Sequence, residues 1–261
     1  MIGISWYFGY KIDPEERVKL LKKYGFDCVI TNADKKFNSQ NGNIKKQIKL
    51  FKKYDINLSS LHMQYKAVDL PHFWLNDKRG EILVKTMIKD VQLAKKYGFN
   101  TVVVHLKGKY SNLGLERLKR VLKVCEKYDI NLAVENLCTN KDILQKVFKN
   151  IKHKNLKFCY DAGHHNIWID DVDLLKEYWD KLVALHLHSN EGTYDNHTLK
   201  KYGNVDWDGI AEKLAKLPKV NLDYELLMVY KPKNLTAEKV LEECMKEAKW
   251  LEERIEYYRK K

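Results

Sequence analysis

One short motif recurs four times in the first half of the chain and limits the folds that the chain can adopt. Each copy has lysine before a tyrosine, then glycine or aspartate, and an apolar run follows at once. Lysine suits the last turn of a helix because it interacts favourably with the helix dipole. Glycine, or an aspartate that tolerates a left-handed conformation, ends the helix. The motif therefore predicts the helix-to-strand junctions of a repeating unit, at residues 22–26, 52–58, 95–100 and 127–132.

Eight strands follow when the chain is divided at such junctions. Most are short apolar runs without clean alternation, as expected of parallel strands that are buried on both faces. Their predicted positions are 2–6, 26–31, 56–62, 101–105, 131–136, 156–161, 182–188 and 220–226. The segments between them have helical periodicity, and the last helix is expected from about Thr236 to Tyr258.

This alternation predicts an α/β fold, the (β/α)8 TIM barrel, rather than an open doubly wound sheet. No GxGxxG motif follows any strand, which argues further against a dinucleotide-binding sheet. A chain of 261 residues suits one barrel, and no Pro- or Ser-rich linker divides it. We therefore expect a single domain over residues 1–261, and the sequence leaves its oligomeric state open.

Other features of the composition bear on compartment and partners. No apolar stretch is long enough to span a membrane, and the first residues lack the pattern of a signal peptide. Five cysteines without a CxxC spacing are typical of reduced thiols, so we expect a cytoplasmic protein. The net charge of +13 would suit nucleic acid, but only six of the 48 basic residues are arginine. Because arginine provides the bidentate fork for phosphate, a solvated basic surface is the favoured interpretation.

Side chains that bind divalent metals follow six of the predicted strands, at the carboxyl end of each. These ends converge on one mouth in a barrel. Imidazole and carboxylate groups are ligands for zinc and manganese. The candidate ligands are His62, His105, Glu135, Asp161, His164, His186, Asp195, His197 and Glu225. Any one of them alone could be a core residue or a helix cap, but their shared position predicts a metal site.

The stretch from Ala184 to His197 is the densest part of this pattern. Asp195 and His197 are two residues apart, so they project to the same face of an extended segment. His186 and His188 also face the same way. The spacing therefore does not decide which of these two histidines binds metal.

These residues resemble the xylose isomerase-like barrel superfamily, and the resemblance covers essentially the whole chain. The superfamily includes sugar isomerases and epimerases, inosose dehydratases and the endonuclease IV repair enzymes. The sugar-isomerising branch implies one divalent ion, zinc or manganese, bound by Glu135, Asp161, His186 and Glu225. The endonuclease branch implies three zinc ions, and therefore two further sets of ligands. These are His62, His105 and Glu135, and then His164, Asp195 and His197.

Two departures distinguish the chain from the endonuclease branch. Those enzymes share a Gly-x-His-x-Ser opening and a His-x-Pro-Tyr stretch, whereas this chain has GISWY at residues 3–7 and HMQY at residues 62–65. The opening is more similar to proteins grouped as sugar phosphate isomerases and epimerases. We therefore expect a metal-dependent isomerase or epimerase of a sugar, sugar phosphate or keto-acid. The alternative is a zinc phosphodiesterase that acts on abasic DNA.

Five residues have expected roles in catalysis or substrate binding. Glu135 and Glu225 are the candidates for base and acid, because proton transfer beside a metal-polarised carbonyl needs a carboxylate. Lys107 and His188 could orient hydroxyl groups or a phosphate. Trp6 could pack on the apolar face of a sugar, although ordinary packing at the barrel rim would also explain it.

Overall fold

Eight parallel strands form a barrel in the computed structural model, which describes residues 1–34, 41–167, 172–229 and 234–261. Neighbouring strands pair in the order β7-β6-β5-β4-β3-β2-β1-β8. Leu187 joins the two edges, since its N–H donates to the Asp223 oxygen at 2.8 Å and its oxygen accepts from Glu225 N at 3.0 Å. The strands are β1 (Ile2–Ser5), β2 (Cys28–Asn32), β3 (Asn57–His62), β4 (Thr101–Val104), β5 (Asn131–Glu135), β6 (Leu156–Asp161), β7 (Leu182–His186) and β8 (Leu222–Tyr224).

Helices lie between the strands, which confirms the predicted single-domain (β/α)8 barrel. The α-helices of the described residues are α1 (Pro14–Lys23), α2 (Ile44–Lys53), α3 (Lys78–Tyr97), α4 (Asn112–Tyr128), α5 (Lys141–Asn150), α6 (Ala162–Ile167), α7 (Leu174–Glu177), α8 (Trp207–Ala215) and α9 (Ala237–Arg259). Short 3-10 helices cover Leu70–Trp74, Trp179–Lys181 and Lys200–Tyr202. Within the described ranges, no helix combines the length and the hydrophobicity that a membrane crossing requires.

The four predicted helix-to-strand junctions are confirmed. Gly25, Asp55, Gly98 and Asp129 each follow a helix and have a positive φ, between 51° at Asp55 and 88° at Gly98. Only glycine, and less often aspartate or asparagine, adopts this conformation at low cost. The repeat therefore marks where each helix turns back into the barrel.

Several predicted strand bounds differ from the structure by one or two residues. The strand predicted at 26–31 begins at Cys28, because Phe26 N still donates to the Leu21 oxygen of α1. The strand predicted at 220–226 covers only Leu222–Tyr224, because the chain then turns so that Leu227 N and Met228 N donate to the His197 oxygen. Between β6 and β7 the described residues form the short helices α6 and α7.

A small apolar layer fills part of the barrel interior below the mouth. Val103, Ala133, Cys159 and Ala184, from four consecutive strands, form this cluster. The next inward-facing position along β6 is Asp161, two residues after Cys159. Polar side chains at the mouth therefore stand directly on a packed apolar layer.

Candidate active site and metal centre

The nine candidate ligands lie together at the carboxyl end of the barrel. Within each of three groups, the ligand atoms lie within 4.8 Å of one another. The groups are His62, His105 and Glu135; then Glu135, Asp161, His186 and Glu225; and then His164, Asp195 and His197. They contain the same residues as the sets that the resemblance implies, and their metal-binding role stays a prediction.

Glu135 joins the first two groups. Its carboxylate is fully buried, and its Oε2 lies 3.0 Å from His105 Nε2 and 3.2 Å from His186 Nδ1. Its Oε1 lies 3.2 Å from His164 Nδ1. Since β5 ends at this residue, a single side chain contacts imidazoles that follow β4, β6 and β7.

His186 and His188 both face into the barrel but contact different carboxylates. His186 Nδ1 lies between two of them, 3.2 Å from the Oε2 of Glu135 and 3.2 Å from the Oε2 of Glu225. His188 Nε2 instead lies 3.1 Å from Asp161 Oδ1. The geometry therefore places His186, rather than His188, in the four-residue group.

Asp195 forms the outer part of the site. Its Oδ2 lies 3.2 Å from His164 Nε2 and 3.0 Å from His197 Nε2. The side chain of Asp195 is 37% exposed, whereas His164 and His197 are buried, so Asp195 is the solvent-facing member of this group. The ring of His197 stacks on that of His188 with centroids 3.9 Å apart.

A glycine allows His188 to approach the site. A Cβ atom on Gly163 would lie only 1.9 Å from Cε1 of His188. Any other residue at the start of α6 would therefore displace the His188 ring from Asp161. This is a close-packing requirement that the motif Asp161-Ala162-Gly163-His164 does not reveal by itself.

Main-chain carbonyls orient three of the imidazoles. In each case Nδ1 contacts a carbonyl oxygen and Nε2 faces a carboxylate of the site; Nδ1 of His164 also lies 3.2 Å from Glu135 Oε1. This arrangement is typical of metal-binding histidines, whose second nitrogen donates to a carbonyl or carboxylate. The contacts are His62 Nδ1 to Met63 O at 2.9 Å, His164 Nδ1 to Asn136 O at 3.0 Å, and His197 Nδ1 to Glu225 O at 2.8 Å.

The charges of the site are strongly coupled. Burial opposes ionisation of Glu135, but the imidazoles of His105 and His186 outweigh it and hold the pKa well below its usual range. Burial likewise opposes ionisation of Glu225, and His186 and His197 nevertheless lower its pKa. Burial disfavours the charged form of His197, yet Asp195 and Glu225 raise its pKa to about 9. The carboxylates are therefore ionised at neutral pH and need positive charge beside them.

The donor set fits a divalent ion. Glu135 Oε1 and both ring nitrogens of His186 are buried without a hydrogen bond of standard geometry. Leaving such groups unsatisfied in a protein interior costs free energy. An ion bound by three carboxylates and an imidazole would satisfy Glu135 and one ring nitrogen of His186, and this ligand chemistry is common for zinc and manganese.

A cavity of about 260 Å³ opens beside these groups. Its lining includes the predicted ligands His62, His105, His164, Asp195, His197 and Glu225. Trp6 also lines it, but the indole is buried and its Nε1 donates to the Asn41 oxygen at 2.8 Å. Lys107 is exposed and does not line the cavity.

Tyr65 lines the cavity as well, and the sequence did not single it out. Its ring lies 4.4 Å from that of His105, between centroids, and 40% of the residue is exposed. Burial, followed by the charges of Glu135 and Glu225, raises its pKa to about 12, so the hydroxyl stays protonated. Its position three residues after His62 was the available signal. Ser5, Tyr7, Ile30, Thr31, Asn32 and Leu227 complete the lining.

Solved structures of sugar epimerases have the same fold. A D-tagatose 3-epimerase-like protein matches with a TM-score of 0.76 at 19% identity, over 99% of this chain and 98% of that chain. L-ribulose 3-epimerase matches with a TM-score of 0.76 at 14% identity, over 99% and 95%. The IOLI protein, solved with a bound zinc atom, matches with a TM-score of 0.74 at 15% identity, over 99% of each chain.

The curated relatives match only part of this chain, and only part of their own length is matched. The uncharacterised protein y4fM of Sinorhizobium fredii is 28% identical over 55% of this chain and 51% of its own length. The uncharacterised protein MJ1311 of Methanocaldococcus jannaschii is 24% identical over 67% of this chain and 66% of its own length. The chain thus spans about half to two thirds of the length of these relatives.

The family model for the xylose isomerase-like TIM barrel matches residues 18–253. This match includes seven of the strands that form the barrel, β2 to β8, and the whole of helices α2 to α8, together with all nine candidate ligands at its mouth. The chain belongs to the xylose isomerase-like TIM barrel family.

Proposed function

We propose that this protein is a divalent-metal-dependent epimerase or isomerase of a small sugar. The observation that carries the proposal is the group of Glu135, Asp161, His186 and Glu225 beside a cavity of about 260 Å³. The cavity is close to the size of small-molecule sites. The epimerases of the same fold support the choice of substrate class.

These four residues would bind the ion, which is zinc or manganese. When bound, such an ion polarises a carbonyl group and makes the adjacent C–H more acidic. The zinc atom in the IOLI protein supports zinc as the first choice. Without an ion, the positive charge of the imidazoles balances the negative charge of the carboxylates, as the lowered pKa values of Glu135 and Glu225 indicate.

Proton transfer is assigned to Glu225 and Glu135. Both are ionised at neutral pH, as a general base must be. Glu225 lines the cavity, so it is placed to take a proton from the carbon beside the carbonyl. Glu135 lies on the other side of His186 Nδ1. In an epimerisation it would return a proton to the opposite face of the same carbon. Tyr65 and Trp6 form an aromatic wall for the C–H groups of the sugar.

Exchange of substrate hydrogen with solvent deuterium tests this proposal. The protein loaded with zinc or manganese is incubated with a panel of ketoses in D₂O, and exchange is followed by NMR. Glu225→Gln keeps an oxygen for the ion but removes the base, and loss of such a group costs about 10²–10⁴-fold in rate. The matched control is Glu191→Gln, because Glu191 is exposed on the loop after β7. Absence of exchange with every ketose, or full activity of Glu225→Gln, would overturn the proposal.

One observation favours a second candidate, a metal-dependent phosphodiesterase. The groups around His105 and Asp195 place two further sets of ligands next to the first. Several ions close together can stabilise the attacking and leaving oxygens of a phosphodiester. Metal-dependent nicking of duplex DNA at an abasic site, without exchange on any ketose, would establish this alternative. Its rate would fall steeply with salt.

A further inference from the structure

The imidazole of His186 is oriented differently from its neighbours at the mouth. His62, His164 and His197 place Nδ1 against a main-chain oxygen, at 2.9, 3.0 and 2.8 Å respectively. His186 Nδ1 has no main-chain oxygen as a hydrogen-bond partner and lies beside two carboxylates, those of Glu135 and Glu225. Its Nε2 therefore faces away from them, and it has no standard hydrogen-bond partner.

The thiol of Cys159 faces the buried His186 ring. The Sγ atom lies within 4.8 Å of a ring nitrogen of His186. Asp161 pairs with His186 across β6 and β7, and Cys159 lies two residues earlier on the same face of β6. The thiol is thus one layer below the imidazole.

The other neighbours in this layer offer no competing acceptor. Val103, Ala133 and Ala184 are apolar. Asp223, the buried carboxylate of β8, already accepts from Ser59 and from the thiol of Cys28. Among the described residues of this apolar layer, Cys159 has the one side chain that offers an acceptor atom.

We propose that Cys159 is a positioning residue for His186, whose Nε2–H it accepts so that the lone pair of Nδ1 faces the ion. A neutral imidazole has one N–H, and a ring that binds metal through Nδ1 must carry it on Nε2. A buried N–H without an acceptor is costly. Metal-binding histidines usually donate this proton to a carboxylate or carbonyl, and here a thiol takes that position. The inference rests on the metal-dependent function proposed above.

Zinc affinity tests the inference without reference to activity. The dissociation constant is measured by competition with a chromophoric chelator for wild type, Cys159→Ala and Cys159→Ser. Loss of the acceptor in Cys159→Ala is expected to weaken binding about 10–100-fold, as for other residues that orient metal ligands. Cys159→Ser retains an acceptor and is expected to remain within about threefold of wild type. Cys28→Ala is the matched control, because it removes a second buried barrel thiol that contacts Asp223.

The tautomer of His186 gives a second readout. Long-range ¹H–¹⁵N correlation spectra of the zinc-loaded wild type should show His186 protonated on Nε2. Protonation on Nδ1, or unchanged zinc affinity of Cys159→Ala, would overturn the inference. So would a thiolate-to-cobalt charge-transfer band in the Co²⁺ protein that Cys159→Ser abolishes, because the sulfur would then be a ligand itself.

The two proposals fail in different ways. Wild type that binds no zinc would remove the metal-dependent function and this inference with it. If Cys159→Ala binds zinc as tightly as wild type does, only the inference about Cys159 fails. If Cys159→Ala does not fold, the spectra of the wild type and the affinity of Cys159→Ser still decide.

Discussion

Arg117 supports the segment between β3 and α3, which includes Tyr65 of the cavity lining, and we expect Arg117→Met to destabilise the protein strongly. The residue is only 2% exposed, and its guanidinium donates five hydrogen bonds. The Nε group contacts Glu81 Oε1 at 3.0 Å. The other four bonds reach main-chain oxygens between β3 and α3, those of His72, Phe73, Leu75 and Asp77.

The magnitude follows from the number of groups left unsatisfied. A hydrogen bond to a charged group contributes about 1.5–3 kcal/mol, whereas burying the guanidinium costs several kcal/mol. Methionine keeps the apolar stem but leaves the carbonyls without a donor. An unsatisfied buried acceptor costs about 1–3 kcal/mol, and several carbonyls lose their donor, so we expect a loss on the order of 3–5 kcal/mol.

Urea unfolding of wild type and variant measures this loss. The matched control is Arg120→Met, because Arg120 contacts the same Glu81 carboxylate at 2.9 Å but its side chain is 50% exposed. Surface ion pairs contribute only about 0–1 kcal/mol. Hydrogen exchange should also become faster in residues 70–77 of Arg117→Met. If both variants lose stability equally, the assignment of Arg117 as the support of this segment is wrong.

Three further predictions concern the site. Purified protein should contain at least one zinc or manganese ion per chain by elemental analysis, and Asp161→Ala should lose most of it; full retention would contradict the four-residue group. The double variant Asp195→Ala, His197→Ala should bind as many ions per chain as wild type, whereas a decrease of about one ion per chain would favour the phosphodiesterase. Burial of Asp223, partly offset by Ser59, raises its pKa to about 6, so ionisation costs the folded state stability as pH rises through 6. In metal-free protein, the free energy of unfolding of Asp223→Asn minus that of wild type should therefore increase by on the order of 2–3 kcal/mol from pH 4 to pH 8, as measured with urea. A difference that does not change with pH would refute this.

The sequence by itself determined the repeating unit and the end of the barrel at which the site lies. Gly98 and Asp129 end their helices because few residues tolerate a positive φ, and such local preferences are readable from the residues alone. The convergence of His62, Glu135 and Glu225 also followed from a general rule, since carboxyl ends of parallel strands meet at one mouth.

Only the tertiary structure decided the contacts within the site. His186 and His188 project to the same face of the chain, so the sequence did not distinguish them. Closure of the barrel through Leu187 places His186 beside Glu225 and His188 beside Asp161. The orientations of His164 and His197 depend on the carbonyl oxygens of Asn136 and Glu225, which are distant in sequence. Packing likewise buried Trp6 and placed Tyr65 over His105. Such distances depend on how eight strands pack around one interior, so no local pattern of residues could specify them.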